Sequence, residues 1–90
     1  MDNKQKIVKR ERKPWQPEEL DYLKQLGENI IRIKNEKRIT SKDIYEELEL
    51  DKSNYRRIEL GKTNVSLLLL RRISKVLGVK LEDLLSNPEN

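Results

Sequence analysis

Cysteine and histidine are both absent from the 90 residues. Their absence removes disulfides, Cys/His zinc sites, cysteine nucleophiles and imidazole general bases, and most familiar catalytic machinery goes with them. Long apolar runs are missing too. The longest stretch, Val65 to Leu70, is interrupted by Ser66 and falls far short of the roughly 20 residues that a membrane span needs. No signal-peptide pattern opens the chain. Hydrophobic residues amount to 34% against 40% charged, a balance close to that of disordered chains. What sets this sequence apart from them is that Leu, Ile and Val recur at helical intervals, while no stretch alternates with period two as a strand would. The length suits a single domain and excludes a multi-domain enzyme. The expectation is a soluble, cytoplasmic, all-helical protein that is not an enzyme and needs neither cofactor nor metal.

Charge is present in quantity but is unevenly placed. Residues 1 to 13 hold Lys4, Lys6, Lys9, Arg10, Arg12 and Lys13 against Asp2 and Glu11, so this segment alone accounts for the formal net charge of +4. Its only larger apolar side chains past Met1 are Ile7 and Val8, too few to offset the entropy of ordering, and a flexible basic arm is expected. Further on, Asp43 to Asp51 carries five carboxylates and no cation, whereas Lys52 to Lys62 carries Lys52, Arg56, Arg57 and Lys62 against Glu59 only. A basic face beside an acidic one is compatible with a polyanion-binding surface, because attraction to phosphate depends on local charge. It is equally compatible with ordinary solvated helix faces.

Five helices follow from the apolar spacing and the caps. Pro17 with Glu18 and Glu19 opens the first, and its stripe runs through Leu20, Leu23, Leu26, Ile30 and Ile33. Gly27 interrupts that stripe, so one bent helix or two are both open. Thr40 with Asp43 resembles a capping box and starts a short helix with Ile44 and Leu48 inside. Asp51 caps a third, with Tyr55 and Ile58 inward and Gly61 as a left-handed stop. Ser66 caps a fourth, which buries Leu69, Leu70, Ile73, Val76 and Leu77 before Gly78 closes it. Leu81, Leu84 and Leu85 form a fifth. None of these short helices can bury its stripe alone, so they must close around one small core.

Thr40 to Gly61 has helix-turn-helix spacing: two helices of about two turns joined by a short corner at Glu49 to Asp51. At 100° per residue, burial of Tyr55 and Ile58 turns Ser53, Arg56, Arg57 and Leu60 outward and leaves Lys52 at the flank, free to enter a groove about 12 Å wide.

Here the chain resembles the Cro and phage-repressor (Xre-type) helix-turn-helix family. The similarity lies in Leu26-Gly27-Glu28-Asn29-Ile30, Ile39-Thr40-Ser41, Ile44, Leu48, Leu50, Ile58-Glu59-Leu60-Gly61-Lys62, Leu77-Gly78-Val79 and Leu84-Leu85, and it covers residues 26 to 86. The resemblance implies a compact five-helix, lambda-repressor-like DNA-binding domain over 26–86. An N-terminal helical extension at 14–25 would precede it, with the basic arm at 1–13 and a disordered tail at 87–90. It assigns base contacts to Lys52, Ser53, Arg56 and Arg57, and phosphate contacts to Thr40, Ser41, Lys62, Thr63 and Asn64. It also pairs Glu59 with Lys34 as a structural ion pair.

The sequence departs from the family at several points. Ser41 stands where Gln is usual, which shortens the reach to phosphate and removes an amide that can brace the recognition helix. Tyr45 replaces a usual Ala at the closest helix approach. Glu49 replaces the usual turn Gly, at a cost in strain if the backbone there is left-handed. Val65 replaces a usual Pro. Leu68 sits where the family is usually polar and is expected to be exposed, alone or within a two-fold patch. Trp15 is expected to staple onto Leu20 or Leu23, or to join a partner. The reading is a sequence-specific regulator of transcription, a repressor, binding double-stranded DNA as a homodimer and associated with the nucleoid when bound. A toxin or effector is a possible protein partner. The alternative is a protein-interaction adaptor or antitoxin-type module on the same fold, with weak or no direct reading of DNA.

Overall fold

The computed structural model describes residues 13–87. The expected arm and tail therefore lie, except for Lys13 and Asn87, outside the described residues. Five helices and no strands are found among those described: α1 Pro17–Glu36, α2 Ser41–Glu47, α3 Lys52–Glu59, α4 Leu67–Leu77 and α5 Leu81–Leu85.

Local chemistry accounts for each boundary. Pro17 occupies the first turn of α1, and the Gln16 N–H donates to Glu19 Oε1 at 2.7 Å. The Thr40 hydroxyl accepts from the Asp43 N–H at 3.0 Å while the Asp43 carboxylate accepts from the Thr40 N–H at 2.9 Å, a reciprocal cap that starts α2. Asp51 and Ser66 cap α3 and α4 through Asn54 N–H and Leu69 N–H. Gly78, at φ 72°, ends α4 in the left-handed region.

Each helix sends at least one side chain into a single core. Ile30, Ile44, Ile73 and Leu84 are fully buried, Tyr55 nearly so, and Leu26, Ile33, Ile58, Leu70 and Leu77 complete the cluster. Fully burying one such side chain contributes about 1.5–3 kcal/mol, so this small set supplies most of the drive to fold.

The apolar stripe of α1 begins at Leu20, but its burial begins only at Leu26; Leu20 is exposed and Leu23 half-buried. The cause is length. A 20-residue helix is about 30 Å long, and partners of 7, 8, 11 and 5 residues cover only its C-terminal half.

Gly27 neither breaks nor divides α1, which runs unbroken from Pro17 to Glu36. Its role is to admit the end of α3: a Cβ there would lie 2.3 Å from the Glu59 carbonyl oxygen and 2.9 Å from that of Ile58. The periodicity gave no sign of this contact, because it is made by backbone. The chain end is fastened by Asn29, buried on α1, whose amide donates to the carbonyls of Leu84 and Ser86, both at 2.8 Å. Its oxygen accepts from Gln25 and Arg32, so both ends of the amide are satisfied.

Candidate nucleic-acid interface

Helix α3 has two unlike sides. Tyr55 and Ile58 are buried against α1 and α2, whereas Lys52, Ser53, Asn54, Arg56, Arg57 and Leu60 are exposed. Three of these carry a positive charge and none a negative one, so a bare cationic ridge runs the length of the helix. Asn54 was missed by the sequence reasoning. It lies one turn before Arg57 on the same side, and that i, i+3 relation was the available signal.

The loop that follows α3 is held close to the body of the domain. Gly61 is left-handed at φ 71°, and a Cβ there would meet the Lys24 Cα at 2.6 Å, so the loop rests directly on α1. One Nη of Arg57 donates to the Lys62 carbonyl at 3.0 Å. The guanidinium keeps its remaining donors for other partners, since arginine has five. Arg57, Asn54, Thr63, Asn64 and Ser66 border one small hollow. Lys62 and Asn64 are exposed and Thr63 is half-buried. The loop thus gathers hydroxyl, amide and guanidinium donors beside the end of α3, a donor set suited to phosphate oxygens.

Helix α2 presents a different chemistry. Asp43, Glu46 and Glu47 are exposed on it, and Glu49 and Asp51 follow in the corner. The Asp43 carboxyl is held below its ordinary value of 3.8, first by the backbone N–H of Thr40 and then by the Thr40 hydroxyl, so it remains ionised in the cap. Thr40, Ser41 and Lys42 stand at the N-terminal edge of this acidic helix.

Ser41 does not project from that edge. Its hydroxyl accepts from Lys34 Nζ at 2.6 Å and donates to Glu59 Oε2 at 2.8 Å, while Lys34 and Glu59 themselves pair at 3.1 Å. The charged side chains are only 11% and 12% exposed. Three helices therefore meet in one closed polar ring. The loss of a brace expected from serine at this position is corrected by the geometry, because the short hydroxyl reaches a carboxylate on α3 eighteen residues further along the chain. Thr40 spends its own hydroxyl on the α2 cap.

Beneath the ring, the Tyr55 hydroxyl is buried and makes no well-formed hydrogen bond. Burial first, and the nearby Glu59 carboxylate second, push its pKa well above the ordinary phenol value. Tyr45 is half-buried rather than turned out, with its ring 6.3 Å from that of Tyr55 and inclined at 49°. Glu49 does adopt the left-handed backbone, at φ 55°, which carries the strain expected of a non-glycine residue in the corner.

Two candidates remain, Leu68 and Trp15. Leu68 is 69% exposed and Leu67 beside it 63%. Trp15 is 51% exposed; it shares a shallow hollow with Glu19, Tyr22, Leu23 and Asn64 and does not seal the helix. No helix among the described residues is long and apolar enough to cross a membrane.

Comparison with known proteins agrees with the geometry. The model of a helix-turn-helix family matches residues 30–84. The chain is 36% identical over 70 residues to the control protein C.MunI of Mycoplasma sp., a match covering 77% of this chain and 95% of that protein. No solved structure matches significantly. The chain belongs to the Xre/Cro-type helix-turn-helix family of DNA-binding transcription regulators.

Proposed function

We propose that this regulator places α3 in the major groove of its operator, reads bases with Lys52, Ser53, Arg56 and Arg57, and binds phosphate through Lys62, Thr63 and Asn64. The observation that carries the reading is the division of α3 into a buried face and a bare cationic one. An arginine presented to O6 and N7 of guanine contributes about 1–3 kcal/mol of discrimination, so Arg56 and Arg57 are the strongest readers. Asn54 adds an amide on the same side, suited to adenine.

The protein acts as a homodimer on a partly palindromic site and represses by occupying it. Leu67 and Leu68 support a two-fold contact, since they stand at the start of α4, directly after the loop that leaves α3. A dimer axis near them would set two copies of α3 on one face of the duplex, with half-sites about 34–36 Å apart. The description of the Mycoplasma relative as a control protein is consistent with a regulatory role.

The test is binding to duplexes selected from a random pool, measured across salt concentration. Affinity is expected to fall steeply with salt, and Arg56→Ala is expected to relax sequence preference. Binding that is undetectable, or indifferent to salt, overturns the reading. For the dimer, Leu68→Glu is expected to yield a monomer in sedimentation and to weaken operator binding.

A further inference from the structure

We infer that Ser41 is a positioning residue that fixes the angle of the recognition helix through Glu59, and is not a phosphate ligand. The inference rests on the DNA-binding reading above and refines it at one position.

Three observations support it. First, both hydrogen-bonding capacities of the Ser41 hydroxyl that matter are used inside the protein: it accepts from Lys34 at 2.6 Å and donates its only proton to Glu59 at 2.8 Å. A phosphate oxygen can only accept, so to bind one Ser41 would have to withdraw that proton from Glu59. Doing so leaves a mostly buried carboxylate short of a partner, and such a loss is costly. Second, the ring joins α1, α2 and α3 at one point, and Glu59 is the last residue of α3. With Asp51 capping the other end, the helix is held at both termini. Third, the backbone at Glu59 is pressed against Gly27 of α1, where even a methyl group would meet the carbonyl oxygen at 2.3 Å. Backbone contact sets the distance between α3 and α1. The packing of Tyr55 and Ile58 limits rotation about that contact, and a polar link to α2 at the last residue of α3 limits it further. Ser41 supplies the link.

The consequence is a specific pattern in DNA binding. Groove reading requires the side chains of α3 to meet base edges at fixed positions, whereas non-specific binding requires only charge near phosphate. Removing the Ser41 hydroxyl should therefore lower affinity for the selected site and spare affinity for random duplex.

The experiment compares wild type, Ser41→Ala and Ser41→Thr, each confirmed as folded by circular dichroism at the assay temperature. The probes are the best duplex selected by the wild type and a scrambled duplex of equal length, each over a range of salt concentration. Ser41→Ala is expected to lose about tenfold on the selected duplex, about 1.4 kcal/mol at 25 °C. It should lose little on the scrambled one and keep an unchanged salt slope. Ser41→Thr, which retains the hydroxyl, is expected to restore most of the discrimination. A second cycle places Ser41→Ala in a Glu59→Gln background, where its effect should shrink to less than about threefold because the partner is already altered.

The inference is overturned if Ser41→Ala weakens the selected and the scrambled duplex alike, the mark of a lost sequence-independent phosphate contact. It is also overturned if the tenfold loss persists in the Glu59→Gln background. Failure of the wild type itself to bind any duplex is a different result, and removes the DNA-binding reading along with this one.

Discussion

Replacing Gly27 with alanine sets two opposed effects against each other, and the structure decides between them. In the interior of an exposed helix the exchange stabilises by about 0.8–1.0 kcal/mol, since alanine loses less backbone entropy than glycine. Here the new Cβ would stand 2.3 Å from the Glu59 carbonyl oxygen and 2.8 Å from its carbon, where ordinary contact begins at 3.4 Å. The shortfall is about 1 Å. Both sides of the contact are backbone, so no rotamer relieves it, and the end of α3 must move. Overpacking of this kind typically costs about 1–3 kcal/mol, which outweighs the gain in propensity.

The net expectation is a loss of roughly 0–2 kcal/mol in urea unfolding, with a larger relative loss of site-specific DNA binding, because the displaced element is the one that reads bases. Gly78→Ala makes a useful comparison. Its Cβ would meet only the tip of Lys37 at 3.5 Å, and its cost comes from the left-handed backbone alone, about 1–2 kcal/mol. That variant should lose stability and keep its discrimination between duplexes. A Gly27→Ala protein that is more stable than the parent by about 1 kcal/mol, with unaltered sequence preference, would refute the close approach of α1 and α3.

Other outcomes follow from single contacts. Asn29→Ala leaves the carbonyls of Leu84 and Ser86 without their donor and should cost about 1–3 kcal/mol in thermal unfolding, with no change in the salt slope of DNA binding. Glu49→Gly relieves a left-handed backbone and should raise stability by up to about 1 kcal/mol, the entropy of the unfolded glycine offsetting part of the gain. Asp43 binds its proton less tightly when folded than when unfolded, so its contribution is present above 3.8 and is lost as pH falls through the lowered folded value. Asp43→Asn should accordingly flatten the acid limb of a stability-against-pH curve.

Much of this molecule was legible in the sequence because the relevant signals are local. Ser66 and Gly78 bracket α4, Thr40 with Asp43 opens α2, and the pair Tyr55 and Ile58 fixes the inside of α3 and therefore its outside. The left-handed backbone at Glu49 was foreseeable from the residue type usual in such a corner. What could not be read is contact between distant segments. The hydroxyl of Ser41 looked like a shortened substitute for a longer side chain, since nothing in its neighbourhood indicates that Glu59, eighteen residues later, lies 2.8 Å away. Asn29 appeared only as part of a family pattern, although its amide ties the ends of the fold together over 55 and 57 residues. Leu20 was expected to continue the buried stripe of α1, but no later helix among the described residues covers it.

The central claim is that the exposed side of α3 and the loop behind it meet the duplex. Amide chemical-shift mapping of the labelled protein, titrated with a duplex selected from a random pool, tests it most directly. The largest changes are expected at residues 52–57 and 62–64, with the acidic side of α2 little affected. Changes confined to residues 43–47 or to the start of α1, with residues 52–57 undisturbed at saturation, would contradict it.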